Sequence, residues 1–226
     1  MAGPANGVLA LWLDLAPESE EMLNEWFNRE HHLERVSVPG FLSARRYLAL
    51  AGEPRYFIFY RTRDIEVLTS PPYLERLNDP TPWTRRALPH FRDTSRSACR
   101  RLGGIGAGEG GAVATLRFGA QPGAGVEAGL RPWLLATALP GVHASPGLVS
   151  AELWQADAAA SNLSTEERRL RGADDVIADW IVWLSGNRPE QVEAAQLTHL
   201  GAAAIEENGG TAPTVGLYRL LFALGG

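Results

Sequence analysis

Residues 39–47 read PGFLSARRY, and residues 146–154 read PGLVSAELW. This internal echo limits the fold more than any other feature of the chain. The same displacement of 107 residues carries Trp26 onto Trp133. Further on, YFIFY at 56–60 answers to WIVWL at 180–184, with an insertion over 157–174 taking up the difference in spacing. A chain that repeats itself at long period folds as copies of one unit, and each copy buries against the other what it cannot bury alone. The insertion is rich in Ala, Ser, Glu and Arg and reads as an exposed loop.

Each copy reads as strand, helix, strand, strand, helix, strand. In the first, VLALWLDL (8–15) is an apolar strand of the buried type. A helix opens between Pro17 and Glu21, with acidic residues suited to a first turn, and runs to Arg35. Val38-Pro39-Gly40-Phe41 stops it, because proline disfavours helical geometry in its predecessor and glycine turns the chain. Strands over 42–50 and 55–62 flank the break at Ala51-Gly52-Glu53-Pro54. Asp64 caps a helix over 65–78, interrupted at Pro71-Pro72; a proline-rich loop covers 79–93, and a strand covers 94–102. In the second copy, a helix over 189–207 and a strand over 214–222 complete the pattern. The expectation is therefore an α+β chain of two tandem ferredoxin-like βαββαβ units. Residues 1–102 form the first unit, 103–111 a linker, and 112–226 a second, degenerate unit. In 56–60 and 180–184 large apolar residues fill both alternating phases, so both faces of each sheet are covered. Two sheets packing or closing on each other within one chain is the simplest solution.

The stretch GGIGAGEGG (103–111) has the glycines of a phosphate loop but no helix opens after it, so it reads as a flexible linker. All 21 basic residues are arginine. Without lysine there is no Schiff-base chemistry and no Gly-Lys-Ser/Thr phosphate loop. A net charge of −5 with no basic tract argues against a nucleic-acid partner. Cys99 is the single cysteine, which excludes an internal disulfide and a cysteine-built metal site. No apolar run is long enough to cross a bilayer as a helix, and MAGPANGVLALWLDL lacks the basic start of a signal peptide. The expectation is a cytoplasmic protein with no membrane partner.

One set of residues points further. Trp26-x3-Glu30-His31-x2-Glu34-Arg35-x2-Val38-Pro39-Gly40-Phe41-x2-Ala44-Arg45-Arg46-Tyr47 resembles the EthD-like branch of the dimeric α/β-barrel superfamily. SPPYLERLNDPTPWTRR (70–86) is similar to the second-helix region of that group. The resemblance covers the first half well; the second half matches only in its pattern of elements. It implies one barrel made from two ferredoxin-like units, often across a homodimer and here within one chain, with a homodimer of the tandem chain as an open partner. It also implies a choice among cofactor-independent lyases, isomerases, polyketide cyclases and monooxygenases, and haem enzymes. Fold follows from such a resemblance more firmly than reaction does.

At about 100° per residue, Leu23, Phe27, Trp26, Met22 and Leu33 form the buried stripe of the first helix. Glu30 and Glu34 fall within it, His31 on its margin, and His32 on the opposite, solvated face. His31 is the candidate general base, oriented by Glu30 or Glu34, with the carboxylate and the helix C-terminus favouring its imidazolium form. In the second copy Glu30 maps to Thr137, His31 to Ala138 and Arg35 to Val142, so the polar set is not required by the fold. Trp26, Arg35, Tyr73, Trp83, Arg86 and His90 are candidate substrate contacts, the aromatic rings for stacking and the arginines for a carboxylate or phenolate. Tyr47 joins them, as a contact or proton donor, if strand alternation turns it toward the barrel interior. His199, on an apolar helical face, is a conceivable haem ligand. Cys99 is not read as a nucleophile, and neither a zincin-type metal motif nor a GxSxG elbow is present.

These readings converge on a cofactor-independent acid/base enzyme of lyase, isomerase or cyclase type, without a metal. It would act on a small apolar molecule of aromatic or polyketide-like character. Two alternatives stay open: a non-catalytic small-molecule-binding accessory protein, and a haem-dependent or oxygen-using enzyme.

Overall fold

The computed structural model describes residues 5–121, 129–172 and 175–225. Its centre is a closed, fully antiparallel eight-strand barrel. The strands are β1 (Gly7–Leu15), β2 (Phe41–Ala51), β3 (Tyr56–Thr62), β4 (Phe91–Gly106), β5 (Ala112–Phe118), β6 (Leu148–Ala156), β7 (Trp180–Gly186) and β8 (Thr214–Leu224). Around the barrel they run β1-β3-β2-β8-β5-β7-β6-β4. The first half thus contributes β4-β1-β3-β2 and the second β8-β5-β7-β6, the same order. The halves join at two seams, β2 with β8 and β4 with β6. Closure pairs both edges of every barrel strand among the described residues.

Strand alternation sorts the apolar residues into three cores. On β3, Phe57 and Phe59 point into the barrel, while Tyr56, Ile58 and Tyr60 face the helices outside. On β7, Ile181 and Trp183 point inward and Trp180, Val182 and Leu184 outward. The interior is a plug of rings: Trp12 stacks on Phe57 at 4.9 Å, and Phe59 lies 5.6 Å from Trp154 and 5.7 Å from Trp183. Helices cover the outer faces of the strands, which makes the other two cores. Among the described residues no helix is long and apolar enough to cross a membrane.

The first helix is not a continuous α-helix. It runs as α1 (Glu20–Trp26), a π-helical turn over Phe27–His31, and α2 (His32–Val36). A π-turn inserts one residue into the helical count and rotates everything after it. This overturns the simple wheel downstream of Phe27. His32, expected on the solvated face, is fully buried, and Leu33, expected in the buried stripe, is 49% exposed. A second π-turn, Leu134–Ala138, follows α5 (Leu130–Trp133) and precedes α6 (Leu139–Ala144), 107 residues after the first.

Four other expectations are corrected. The glycine-rich linker begins later than 103, because β4 continues through Gly106 and pairs with β6 there. The loop over 79–93 is largely helical: α3 (Pro71–Asn78) is followed by α4 (Pro82–Ala87) and a 3-10 turn, Leu88–His90. Proline enters both helices in the first turn, where no backbone donor is lost, so the prolines start helices instead of keeping a loop open. The insertion over 157–174 is not a free loop. It forms α7 (Ala158–Ser161) and α8 (Glu166–Arg171), capped by Asp157 and Thr165. Both return to the first half, α7 against β4 and α8 against α3. The expected helix over 189–207 divides into α9 (Pro189–His199) and α10 (Ala202–Glu207).

Candidate active site

Between the outer face of the first-half strands and its helices lies a buried polar cluster roofed by α8. The π-turn is what aims two adjacent histidines inward. The His31 ring lies 4.2 Å from Trp26 and 6.4 Å from Tyr60. His32 stacks on Phe222 at 4.9 Å, and its Nδ1 is 2.9 Å from the Tyr60 hydroxyl. One helical turn on, the buried guanidinium of Arg35 pairs with Glu167 of α8 and lies 3.7 Å from Glu34. It also sits over the Tyr73 ring at 5.8 Å. Arg96 of β4 donates to the Tyr73 hydroxyl at 3.2 Å and to the Ser161 carbonyl at 3.3 Å. At the far end of α8, Arg171 donates to Asp175 at 2.6 Å.

Several buried polar atoms in this cluster have no hydrogen-bond partner among the described residues: His31 Nδ1, His32 Nε2, Glu34 Oε2, Arg171 Nε and Asp175 Oδ1. Buried polar groups in folded proteins are nearly always paired, so several orphans in one place mark a site made for something else. The void beside Arg96, Arg171 and Asp175 is only about 10 Å³, room for one water at most.

The electrostatics differ from the sequence expectation. His31 was expected as imidazolium; instead, burial, followed by the charge of Arg35, His32 and Arg171, pushes its pKa well below the usual histidine range. It is a neutral imidazole. Burial, then Arg46 and Arg35, pushes His32 down to about 3. Burial raises the Glu34 carboxyl, with Glu167 and Glu30 adding to the rise and Arg35 opposing it. Burial pushes the Tyr60 hydroxyl up. Burial is the main cause at His31, and the charge that adds to it is positive; a positive field stabilises an anion formed beside it.

This arrangement has a measurable consequence. The folded state keeps His32 neutral down to about pH 3, whereas an unfolded histidine binds a proton near 6.5. Between these values the unfolded chain holds more protons, so stability is present in full above about 6.5 and is lost as pH falls toward 3. At about pH 5 the His32 share of the loss is about 2 kcal/mol. Urea denaturation at neutral pH and at about pH 5 should show that loss, and the loss should shrink in His32→Gln. An equal loss in both proteins would show that His32 is not the source.

The structure brings His31, Glu34, Arg35 and Tyr73 together. It does not give Glu30 the expected part: its carboxylate accepts from Trp26 Nε1 at 3.1 Å, Thr81 at 2.6 Å and Thr84 at 3.3 Å. Glu30 therefore ties the first helix to α4 and does not orient His31. Trp26 is fully buried as a wall of the cluster. Tyr47 faces the barrel interior among Phe57 and Phe59, on the other side of the sheet from His31. Trp83 packs partly buried against the first-half core, and Arg86 is exposed. His90 places Nδ1 2.9 Å from Ser19 and pins the chain after β1. Cys99 is buried in the barrel, where burial pushes its thiol up.

His32, Tyr60, Arg96, Glu167, Arg171 and Asp175 were missed. Alternation along β3 carried the signal for Tyr60. Nothing local signalled that α8 would fold back over His31. His199 does not fit a haem ligand. Its Nε2 is 3.2 Å from the Ser145 hydroxyl, and a Cβ at Gly141 would lie 2.7 Å from its Nδ1. Both nitrogens face protein and not a cavity, so no step is derived through haem.

No family model matches the chain, and no curated protein matches it. Solved structures do match it over nearly full length. An anthrone oxidase-like protein aligns with a TM-score of 0.64 at 16% identity, over 99% of this chain and 94% of its own. A Fusobacterium nucleatum protein assigned as a monooxygenase gives 0.55 at 10%, over 99% and 96%. A protein assigned as a chlorite dismutase gives 0.54 at 11%, over 96% and 95%. These neighbours share the ferredoxin-like, dimeric α/β-barrel architecture, and at such identities the likeness establishes the fold alone.

Proposed function

We propose that the chain is a cofactor-independent enzyme of the EthD-like kind, in which His31 takes a proton from a small aromatic or polyketide-like molecule. In this reading residues 1–102 are the active unit and 112–226 a tandem unit whose insertion supplies the roof. The observation that carries it is a neutral, buried His31 with an unpartnered Nδ1 under the charge of Arg35 and Arg171. A neutral imidazole can accept a proton from an acidic C–H or phenol. The resulting anion is stabilised by the two guanidiniums, and His31 returns the proton to complete an elimination, isomerisation or cyclisation. The Glu34 carboxyl, raised by burial, is a second group able to pass a proton. Substrate enters by displacing α8, its own anionic group taking the place of Glu167 at Arg35.

A second reading is favoured by the neighbours named for anthrone oxidation and monooxygenation. The same carbanion or phenolate would react with dioxygen instead of regaining its proton. Anthrone is a suitable probe for both readings. Without oxygen, its exchange of the benzylic C–H for solvent deuterium reports proton removal; with oxygen, dioxygen uptake reports oxidation. The wild-type protein is expected to accelerate exchange, and His31→Ala to lose about a hundredfold of that acceleration. Full exchange activity in His31→Ala would remove His31 from its role. Binding of anthrone with no exchange by the wild-type protein would replace both readings with the accessory binding protein.

A further inference from the structure

On the other side of the sheet from His31, the barrel is open at one mouth. The cavity there measures about 390 Å³ and is lined by Arg45, Arg61, Arg101, Glu152 and Trp183, with the glycine-rich segment Gly106–Glu109 as its rim. The Arg61 guanidinium is held among three rings, 5.0 Å from Phe59 and 5.3 Å from both Trp154 and Trp183. That environment fixes its position without using its hydrogen bonds. Arg61 donates Nη1 to Glu152 at 2.6 Å, and Arg101 Nε is ion-paired with the other oxygen at 3.0 Å. Arg45 gives Nε to Glu109 at 2.6 Å and Nη1 to backbone carbonyls at the end of β8.

The donors outnumber the acceptors. Each guanidinium carries five N–H groups, and the two carboxylates are already engaged by three arginines, leaving one positive charge in excess. Trp183, which lines the cavity, is 1% exposed, and its buried indole N–H has no partner among the described residues. A buried unpaired donor costs stability unless something accepts from it.

We infer that this mouth is a binding site for a small organic carboxylate with a flat apolar body. The carboxylate meets the spare guanidinium donors of Arg61 and Arg101, the body lies against Trp183, and an acceptor atom takes the Trp183 N–H. The cavity volume suits a one- or two-ring acid. The site is separate from the one proposed around His31, so neither stands or falls with the other.

The test titrates 2-naphthoate and salicylate into the intact protein, reading heat and the indole N–H resonances by NMR. Naphthalene-methanol and inorganic phosphate serve as controls. The expected result is saturable binding of the acids, with the one indole resonance absent from Trp183→Phe being the one that shifts. Binding should weaken about fivefold to tenfold in Trp183→Phe and in Arg101→Gln, as expected for loss of one or two hydrogen bonds to a charged group, and should persist in His31→Ala. Arg101 lies at the partly exposed rim, so Arg101→Gln keeps the test decisive should Trp183→Phe fail to fold. The inference is overturned by no binding of either acid at millimolar concentration, or by equal affinity in both variants. Tighter binding of phosphate or the neutral alcohol would overturn the assignment of a carboxylate with a flat body.

Discussion

Glu167→Gln is expected to cost about 3 kcal/mol of stability, although the residue lies in a segment whose composition reads as a solvated loop. The reason is Arg35. Its guanidinium is 2% exposed, and Glu167 is its nearest counter-charge. Glu34, at 3.7 Å and mostly buried with a raised pKa, compensates only in part. Removing one member of a buried ion pair leaves the other charged in a poor solvent, which costs about 3–5 kcal/mol; replacing both members with apolar groups of similar size is often nearly neutral. The double variant Arg35→Met/Glu167→Leu should therefore recover most of the loss. Chemical denaturation of the wild-type protein, both single variants and the double variant measures this directly. A loss under about 1 kcal/mol in Glu167→Gln would mean that α8 is not held by this pair. The same variant is expected to loosen the roof over His31, read as faster amide hydrogen exchange over Glu166–Arg171 than in the wild-type protein.

The second large effect lies inside the barrel. Phe59→Ala is expected to lose about 3–5 kcal/mol, the range for deleting a buried aromatic side chain and leaving its cavity. Phe59 is fully buried, stacks near Tyr47 at 6.1 Å, touches Phe57, Trp154 and Trp183, and supports the Arg61 guanidinium. Its ring lies where both halves of the chain meet, with Trp154 and Trp183 supplied by the second. Phe59→Leu should lose less, because more of the volume remains. Leu33→Ala, at an exposed position, is the control and should change stability by no more than about 0.5 kcal/mol. A Phe59→Ala loss as small as that of Leu33→Ala would show that the barrel interior is not the close-packed core described above.

Much of the fold was legible in the residues themselves. YFIFY and WIVWL led to strands buried on both faces, and the ferredoxin-like pattern of elements led to the barrel. His31, Arg35 and Tyr73, singled out from two separate motifs, lie together in one buried cluster. The helical wheel failed after Phe27, because residue identity does not announce where a helix takes an extra residue into one turn. Leu33 then pointed out and His32 in. Glu30 and Tyr47 were placed by element but not by partner. A threonine pair on α4 claimed the carboxylate, and the strand phase sent the phenol into the barrel.

The sequence by itself determined the order of elements, the two-faced burial of the strands and the absence of any lysine chemistry. These are set by side-chain periods of two and about 3.6 and by residue type, all of them local quantities. Tertiary structure alone decided that α8 covers His31 and that Arg35 meets Glu167 across 132 positions of chain. Such a meeting depends on where the rest of the chain brings two distant segments together. Burial, then neighbouring positive charge, keeps the His31 imidazole neutral, and both act through space and not along the sequence.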